Sequence, residues 1–368
     1  MREIWAGRAE AAEAAVLRRH VRRLWAVPRT ALGVVHHPAT VRTRVFGRWD
    51  YWWQAHLLDC VVDAFDRSPD AARRSRIAAL TRAHRLRNLG GWDNAYYDDM
   101  AWLGLALQRA DSVAGVRHPA ALAVLTSRLH NAWSDEAGGG VPWRRGDVFR
   151  NVPANGPAAI LFARTGDVAR AVATADWIDA QLLDPRSGLV MDGLRPGGVL
   201  ETTTYTYNQG LVLGAETELA RLTGAPRHTQ RVHRMVAAVA QHLSHDGVLH
   251  THGGGDGGLF TGILARYLAL VATVLPGDAE ADVQTRTTAT RLVLSSARAV
   301  WAQRAEADSG PVFGHDWSRP AQLPTRTNGA AERDLSVQLS AWMLVEAAAR
   351  VGDPRVGGSA CDRRAKGS

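Results

Sequence analysis

The segment Asn94-Ala-Tyr-Tyr-Asp-Asp-Met-Ala-Trp-Leu-Gly-Leu-Ala-Leu107 contains the pattern from which the fold is predicted. Its second half, residues 101–107, is apolar or small at every position, and a helix that is apolar on all sides is buried. Its first half holds two adjacent aspartates, Asp98 and Asp99, behind two tyrosines. Aspartate is a weak helix former and neighbouring carboxylates repel each other. The segment therefore predicts a buried helix that starts with an acid pair.

Helix-period apolar patterns recur along the chain and predict twelve helices of two alternating kinds. The first, third, seventh, ninth and eleventh have one charged face, whereas the second, fourth, sixth, eighth, tenth and twelfth are apolar or small all round. Six buried helices that alternate with six half-exposed ones predict an all-α fold of two concentric rings, an (α/α)6 barrel. The predicted helices cover residues 8–25, 49–66, 70–88, 95–111, 118–135, 153–165, 168–183, 203–223, 227–244, 257–275, 279–305 and 332–351.

Strand patterns of period two are scarce, and we expect only short hairpins near residues 188–191 and 247–250. Nothing resembles an interdomain linker. We therefore expect one catalytic domain over residues 1–356 and a disordered tail over residues 357–368.

The composition excludes several classes of protein. The 368 residues carry a net charge of +8, but Lys366 is the sole lysine and the arginines are scattered, so we expect no nucleic-acid partner. No stretch reaches the ~18 uninterrupted apolar residues of a membrane span. Charges fall where an export signal needs apolar residues, so we expect a cytoplasmic protein. Cys60 and Cys361 form no disulfide framework or zinc pattern, and we expect a monomer without metal or cofactor.

Polar residues on the buried helices gather near the helix starts. In a barrel the inner helices run in the same direction, so these starts converge at one rim. Aromatic rings there can stack on sugar rings, and amides can bond to hydroxyl groups; core packing and helix capping are the alternatives. The candidates for substrate binding at this rim are Trp52, Gln54, Asn94, Tyr97, Trp143, Asn155, Tyr207, Asn208, Gln209 and Asp256.

Six sets of motifs follow one another along nearly the whole chain: Tyr51-Trp-Trp-Gln-Ala-His56, Tyr96-Tyr-Asp-Asp-Met-Ala-Trp102, Asn151-Val-Pro-Ala-Asn-Gly-Pro157 with Ala163-Arg-Thr-Gly166, Tyr207-Asn-Gln-Gly210 with Glu218-Leu-Ala-Arg-Leu-Thr-Gly224, Gly255-Asp-Gly-Gly-Leu-Phe-Thr-Gly262 and Phe313-Gly-His-Asp-Trp317. In their order and spacing these motifs resemble those of glycoside hydrolase family 76, the α-1,6-mannanases.

The resemblance implies an (α/α)6 barrel that cuts α-1,6-linked mannose chains internally and with retention. It also implies that Asp98 is the nucleophile and Asp99 the general acid/base. The chain departs from the family pattern at Met100, where a polar or small residue is usual. It departs again at Val141-Pro-Trp143, where a Trp-Trp pair is more common. Both departures bear on which sugars fit the subsites.

The acid pair suits this chemistry. Retaining glycosidases place their two carboxyl groups ~5–5.5 Å apart, and inverting ones ~6.5–9.5 Å apart. Adjacent aspartates can reach the shorter distance, so the spacing permits retention. Their mutual repulsion and nearby aromatic rings are expected to raise one pKa, so that one group keeps its proton while the other stays ionised.

Two other functions stay open at this point. One is a transglycosidase that passes the mannosyl unit to a glycan or glycolipid, and the other is a non-catalytic helical protein that binds sugars. A metal site is not expected, because His250-Thr-His252 with Asp256 lacks the spacing of a known zinc site. A prenyl-converting DDxxD motif is rejected because position 102 is Trp.

Overall fold

Two concentric rings of α-helices form the structure, a computed structural model that describes residues 2–39 and 49–352. The predicted tail and Cys361 lie outside these residues, and the single-domain assignment stays a prediction. The described residues form twelve α-helices, which we label in chain order: α1 (Arg2–His20), α2 (Tyr51–Arg67), α3 (Ala71–Arg87), α4 (Tyr97–Ala114), α5 (Pro119–Ala132), α6 (Val152–Thr165), α7 (Val168–Leu182), α8 (Thr206–Thr223), α9 (Pro226–His242), α10 (Gly257–Val274), α11 (Glu280–Ala302) and α12 (Leu335–Val351).

The even-numbered helices form the inner ring. Each packs against the next, and α12 returns to contact α2, which closes the ring. The odd-numbered helices pack on the outside against these inner helices. Nearly every side chain of α8 and α12 is buried, as their all-round apolar pattern predicts. The (α/α)6 barrel predicted from the sequence is confirmed.

Glycines let the inner helices approach closely. A Cβ atom on Gly210 of α8 would lie 2.8 Å from the Cα of Leu264 in α10. A Cβ on Gly262 of α10 would lie 2.5 Å from the Cα of Ser340 in α12. Neither distance leaves room for a methyl group, so the ring closes at these contacts only because the residues are glycine.

A buried group of four charges joins three inner helices, and two of its members, Asp63 and Arg266, also line a cavity at the end of the barrel where the inner helices finish. Arg109 of α4 and Arg266 of α10 each form ion pairs with both Asp59 and Asp63 of α2. Burial alone would raise the pKa of Asp63, but the two guanidinium groups outweigh it and lower that pKa. The four charges balance, which is the condition for placing them inside a core.

Helix α10 is the one described helix that is long and apolar enough to cross a membrane by length and composition alone. However, 67% of it is buried inside the protein, and Arg266 lies within it. It is packed as an inner helix of the barrel.

Most connections at the inner-helix N-terminal end are longer than those at the other end, and they contain short strands. These are β1 (Val21–Arg22) with β2 (Leu32–Gly33), the sheet β3 (Arg150–Asn151), β4 (Gly193–Arg195) and β5 (Val199–Glu201), β6 (Ser244–His245) with β7 (Val248–Leu249), and β8 (Ala305–Ala307) with β9 (Gly310–Val312), all antiparallel.

Of the two predicted hairpins, the one near residues 247–250 is confirmed. Asp246 and Gly247 join β6 to β7 with φ angles of 50° and 78°, the left-handed pair that a two-residue turn of this kind requires. Near residues 188–191 the chain also folds back on itself in antiparallel fashion. Leu183 pairs with Val190 in a single bridge, the Asp184 N–H donates to the Leu189 carbonyl and the Met191 N–H donates to the Leu182 carbonyl, so a short hairpin is present there without full strands. Helix α1 also begins at Arg2 rather than at residue 8, because Trp5 and Ala9 are buried on its inner side.

Candidate active site

A cleft of about 1030 Å³ opens where the inner helices begin, as the clustering of polar residues predicts. We call it the rim cleft. Helices α2, α4, α8 and α10 contribute side chains from their N-terminal turns, and the loops before α2, α4, α6 and α8 complete its walls. Its lining includes Trp49, Asp50, Trp52, Asn94, Tyr96, Asp98, Asp99, Trp102, Trp143, Arg144, Asp147, Phe149, Asp192, Arg195, Tyr205, Tyr207, Asp256 and Phe260.

A second cavity, of about 480 Å³, lies at the opposite end of the barrel. Its described lining consists of arginines, carboxylates and small apolar residues of α1, α2, α10 and α12, without an aromatic ring. Charges that neutralise one another and the absence of aromatic surface make it a poor sugar site, so the rim cleft is the candidate active site.

The acid pair lies in the first turn of α4, and a hydrogen bond holds each carboxylate in place. Asp98 Oδ1 accepts from the backbone N–H of Asp99 at 2.9 Å, and Asp98 Oδ2 accepts from the indole N–H of Trp143 at 2.9 Å. Asp99 Oδ2 accepts from the side-chain amide of Asn94 at 2.5 Å. Asn94 in turn accepts from the backbone N–H of Tyr96 at 2.8 Å. Both carboxyl groups are therefore fixed in orientation before any ligand arrives.

The environment of the pair separates the protonation of its two members. Burial raises the pKa of Asp98 to about 6, although hydrogen bonds from the Asp99 N–H and from Trp143 favour its ionised form. Burial, and then the negative charge of Asp98, raises the pKa of Asp99 well above its ordinary range. The pair therefore loses its protons in two steps, and the charge of the first carboxylate to ionise favours retention of the proton on the other.

A third acid, Asp256, sits at the start of α10 and faces the pair across the cleft. Its Oδ1 accepts from the indole N–H groups of Trp52 at 3.2 Å and Trp53 at 2.9 Å. Its charge contributes to the raised pKa of both Asp98 and Asp99. Asp256 therefore helps to keep one proton on the pair.

Aromatic rings form one wall of the cleft. Tyr207 stacks on Phe260 with ring centres 3.9 Å apart and an angle of 14° between the planes. Tyr205 packs edge-on against Phe260, and Tyr96 packs edge-on against Trp143. These rings offer flat apolar surfaces beside polar groups, which is the surface that a sugar ring matches.

Of the twelve site residues predicted from the sequence, the structure brings seven to the lining of the rim cleft: Trp52, Asn94, Asp98, Asp99, Trp143, Tyr207 and Asp256. The other five are elsewhere. Tyr97 is not part of the lining; it is half-buried and packs against the core, while its neighbour Tyr96 takes the place in the cleft. For Tyr97 the substrate-binding prediction is therefore corrected to a packing role.

Three predicted amides bind backbone instead of sugar. Each is buried and exchanges two hydrogen bonds with the N–H and C=O of a single residue in the connection that precedes its helix. Gln54 does so with Gly33, Asn155 with Val141, and Gln209 with Val190. Since both ends of each amide are used, the substrate-binding prediction for these three residues is corrected to loop positioning.

The amides share a position in the fold. Gln54, Asn155 and Gln209 are each the fourth residue of an inner helix, and so is Gln338 of α12, which binds the N–H and C=O of Phe313 in the same way. This position faces the loop that returns over the rim, so a side-chain amide satisfies loop backbone that would otherwise be buried without partners. The fourth residue of α4 is Met100.

Asn208 is also buried, and its side chain donates to Asp192 Oδ1 at 3.0 Å. It therefore positions a cleft carboxylate, and its predicted direct contact with substrate is corrected accordingly. Asp192 itself was not predicted. It lies between an isolated bridge and a three-residue strand, a stretch too short to show a periodic pattern. Burial raises the pKa of its carboxyl group. Trp49 and Arg144 were missed as well, although Trp49 belongs to the aromatic run that leads into α2.

Within the part of the chain that the structure describes, the His250–His252 segment belongs to no group of three or more side chains placed to hold a metal ion. His252 Nε2 accepts a hydrogen bond from the backbone N–H of Thr206 at 3.2 Å, at the start of α8. Burial lowers the pKa of His252, so its ring is neutral and available as this acceptor.

Comparison with known proteins agrees with this geometry. The family model of glycosyl hydrolase family 76 matches residues 10–353. A curated relative, the mannan endo-1,6-alpha-mannosidase DCW1 of Candida glabrata, is 28% identical over 224 residues, which are 51% of this chain and 49% of that protein. The chain spans about half the length of the curated relatives that it matches.

Two solved structures cover nearly the whole chain. The GH76A alpha-1,6-mannanase from Salegentibacter sp. HEL1_6 is 27% identical, with a TM-score of 0.83 over 94% of this chain and 99% of that one. An inactive variant of the same mannanase, with two aspartates replaced by asparagine, is in complex with alpha-1,6-mannotriose and matches with the same identity, coverage and TM-score.

Proposed function

The chain belongs to glycosyl hydrolase family 76 and is a glycoside hydrolase, and from this premise we propose that it cleaves α-1,6-mannosidic bonds inside an α-mannan backbone with retention of anomeric configuration. The observation that carries the proposal is the acid pair: two adjacent carboxyl groups lie in one cleft, each is held by hydrogen bonds, and both have raised pKa values. The related mannanase in complex with alpha-1,6-mannotriose supports the choice of sugar.

In the first step, a carboxylate oxygen of Asp98 attacks the anomeric carbon of the mannosyl unit. The bond from that carbon to the glycosidic oxygen breaks, and Asp99 gives its proton to the departing oxygen. The result is a mannosyl ester on Asp98 and an ionised Asp99. The hydrogen bonds from Trp143 and the Asp99 N–H stabilise Asp98 while it is charged and orient it for attack.

In the second step, the ionised Asp99 takes a proton from a water molecule, and the water oxygen attacks the same carbon. The ester bond to Asp98 breaks, and the starting protonation is restored. Two inversions at one carbon give net retention. The amide of Asn94 bonds to Asp99 and keeps it oriented in both steps.

Internal cleavage is supported by the shape of the site. The rim cleft has a volume of about 1030 Å³, and its lining includes Trp49, Phe149 and Arg195 in addition to the acid pair. This volume is at the upper end of the range for small-ligand pockets, so the cleft has room for more than one sugar unit, which internal cleavage requires.

The test compares wild type, Asp98→Asn and Asp99→Asn for release of reducing ends from α-1,6-mannan, while NMR follows the first anomer formed. Asp278→Asn is the matched control, because Asp278 is fully exposed in the loop between α10 and α11, at the end of the barrel away from the cleft. We expect α-anomer first and activity losses of at least about a thousandfold in both site variants.

The two site variants differ in one respect. A mannoside with an activated leaving group needs no proton from Asp99, so Asp99→Asn should regain its first step on that substrate, whereas Asp98→Asn should not. Full activity of either variant on mannan, or β-anomer as the first product, would contradict the proposal. Transfer to an added mannoside acceptor in place of hydrolysis would favour the transglycosidase alternative.

A further inference from the structure

Trp25 is a large aromatic side chain that is 56% exposed on the cleft side of the barrel. It lies in the segment between the end of α1 and the start of α2. Outer helices run opposite to inner ones, so α1 ends at the rim where α2 and the other inner helices begin. Trp25 is absent from the lining of the rim cleft, and the mechanism does not use it.

One guanidinium group connects Trp25 to the cleft. The Cζ atom of Arg87, the last residue of α3, lies 5.7 Å from the ring centre of Trp25 and 5.3 Å from the ring centre of Trp49. Trp49 lines the rim cleft. Cation–π attraction to a shared cation holds both indole rings in place. The aromatic surface of the cleft therefore continues beyond its edge through Arg87 to Trp25.

The backbone around Trp25 is in an unusual conformation. Trp25, Ala26 and Arg29 have φ angles of 46°, 62° and 58°, although only glycine enters this left-handed region without strain. For a bulky residue such as tryptophan the conformation is rare, and such strain is concentrated at functional sites.

The loop that carries Trp25 is held by its own hydrogen bonds. The Thr30 hydroxyl accepts from the Leu24 N–H at 3.1 Å and donates to the Val27 carbonyl at 2.6 Å, and the Val27 N–H donates to the Leu24 carbonyl at 2.8 Å. Thr30 and Leu24 are buried. The exposed indole therefore projects from a fixed turn.

We propose that Trp25, Arg87 and Trp49 form a distal sugar-binding platform that holds the part of an α-mannan chain extending out of the rim cleft. The proposal rests on the proposed function, since it takes the same polymer as substrate. The exposed indole face stacks on the apolar face of a mannose unit, and the guanidinium group of Arg87 donates to hydroxyl groups beside it. Chains too short to reach Trp25 gain nothing from the platform.

The test measures kcat/KM on long α-1,6-mannan and on α-1,6-mannotetraose for wild type, Trp25→Ala and Trp25→Phe. We expect the polymer-to-tetraose ratio of kcat/KM to fall about five- to tenfold in Trp25→Ala, mainly through KM, because one aromatic contact is lost. Trp25→Phe keeps a ring and should restore most of the ratio. Ile4→Ala is the matched control: Ile4 is 59% exposed in the first turn of α1, at the opposite end of the barrel.

Binding is read separately by affinity electrophoresis in gels that contain α-1,6-mannan, which needs no turnover. Wild type and Ile4→Ala should be retarded equally, and Trp25→Ala less. If Trp25→Ala has the wild-type polymer-to-tetraose ratio of kcat/KM and the wild-type retardation in the mannan gel, the platform is overturned. This holds even if wild type hydrolyses both substrates. Failure of wild type to cut either substrate would instead contradict the proposed function, and retardation would still decide the platform.

Discussion

Replacing Trp143 by phenylalanine removes the indole N–H that donates a hydrogen bond to Asp98 Oδ2 at 2.9 Å. The phenyl ring keeps an aromatic surface in the cleft beside Tyr96. The lost hydrogen bond favours the ionised form of Asp98, so its removal raises the pKa of Asp98 above the present value of about 6. Asp98 attacks only when ionised, so activity is lost at acidic pH and kept at higher pH.

The size of the shift follows from the strength of the bond. A hydrogen bond to a charged group contributes about 1.5–3 kcal/mol, and one pKa unit corresponds to about 1.36 kcal/mol. The bond between Trp143 and Asp98 is only partly buried, so the lower end applies and the expected shift is about one unit. At pH 6 the ionised fraction of Asp98 then falls from about one half to about one tenth, a loss of about fivefold in kcat/KM.

The assay is the pH dependence of kcat/KM on α-1,6-mannotetraose for wild type, Trp143→Phe and Trp301→Phe. The acidic limb reports the ionisation of the free enzyme's acid pair as a unit. Trp301 lies on outer helix α11, is packed against Arg304 and does not line the cleft, so its replacement makes the same chemical change without touching Asp98. If the acidic limb of Trp143→Phe lies at the same pH as that of wild type, the reasoning is refuted.

Three further predictions concern stability. The pKa of Asp99 is raised in the folded protein, whereas in the unfolded chain Asp99 has an ordinary pKa and loses its proton above pH ~4. Asp99 therefore destabilises the folded protein increasingly as pH rises above that value. Asp99→Asn should raise Tm by roughly 2–4 °C at pH 7 and hardly at pH 4. Asn155→Ala leaves the buried N–H and C=O of Val141 without these partners and should lower the free energy of unfolding in urea by about 2–4 kcal/mol. The control is Asn131→Ala, at an exposed position, which should lower it by under ~0.5 kcal/mol. Arg109→Met leaves buried carboxylates without one of their ion-pair partners and should lower the free energy of unfolding by about 3–5 kcal/mol in the same assay. The control Arg117→Met, whose side chain is 76% exposed, should lower it by under ~1 kcal/mol. If the site variant and its control lose equal stability in either comparison, the assignment of that residue is contradicted.

The helical rings could be predicted because burial leaves a direct trace in the sequence. Segments such as residues 101–107 are apolar all round, which only an inner helix allows. The acid pair could be placed at the rim because the inner helices start on one side. Strands of two or three residues are too short to show a period of two, so the strands outside the two predicted hairpins could not be located. The three-stranded sheet and Asp192 beside it were missed for this reason.

The amides show a second limit of reading polar residues from sequence. Gln54 and Asn155 lie at inner-helix starts, as Asp98 does, and all three are polar exceptions in apolar helices. What separates them is the partner: the amides meet loop backbone, whereas Asp98 meets an indole N–H and the cleft. Loop paths set this difference, and a helical pattern does not encode them. The recurrence at the fourth residue of four inner helices becomes visible only once the barrel is assembled.

The central claim is that Asp98 forms a covalent bond to the sugar while Asp99 handles the proton. It is tested most directly by mass spectrometry of Asp99→Ala after reaction with an α-mannosyl fluoride, whose leaving group needs no acid. With the base for the second step also removed, the mannosyl ester should accumulate, and peptide mapping should find one hexose on Asp98. A hexose on any other residue, or complete turnover to the inverted product without an adduct, would contradict the account.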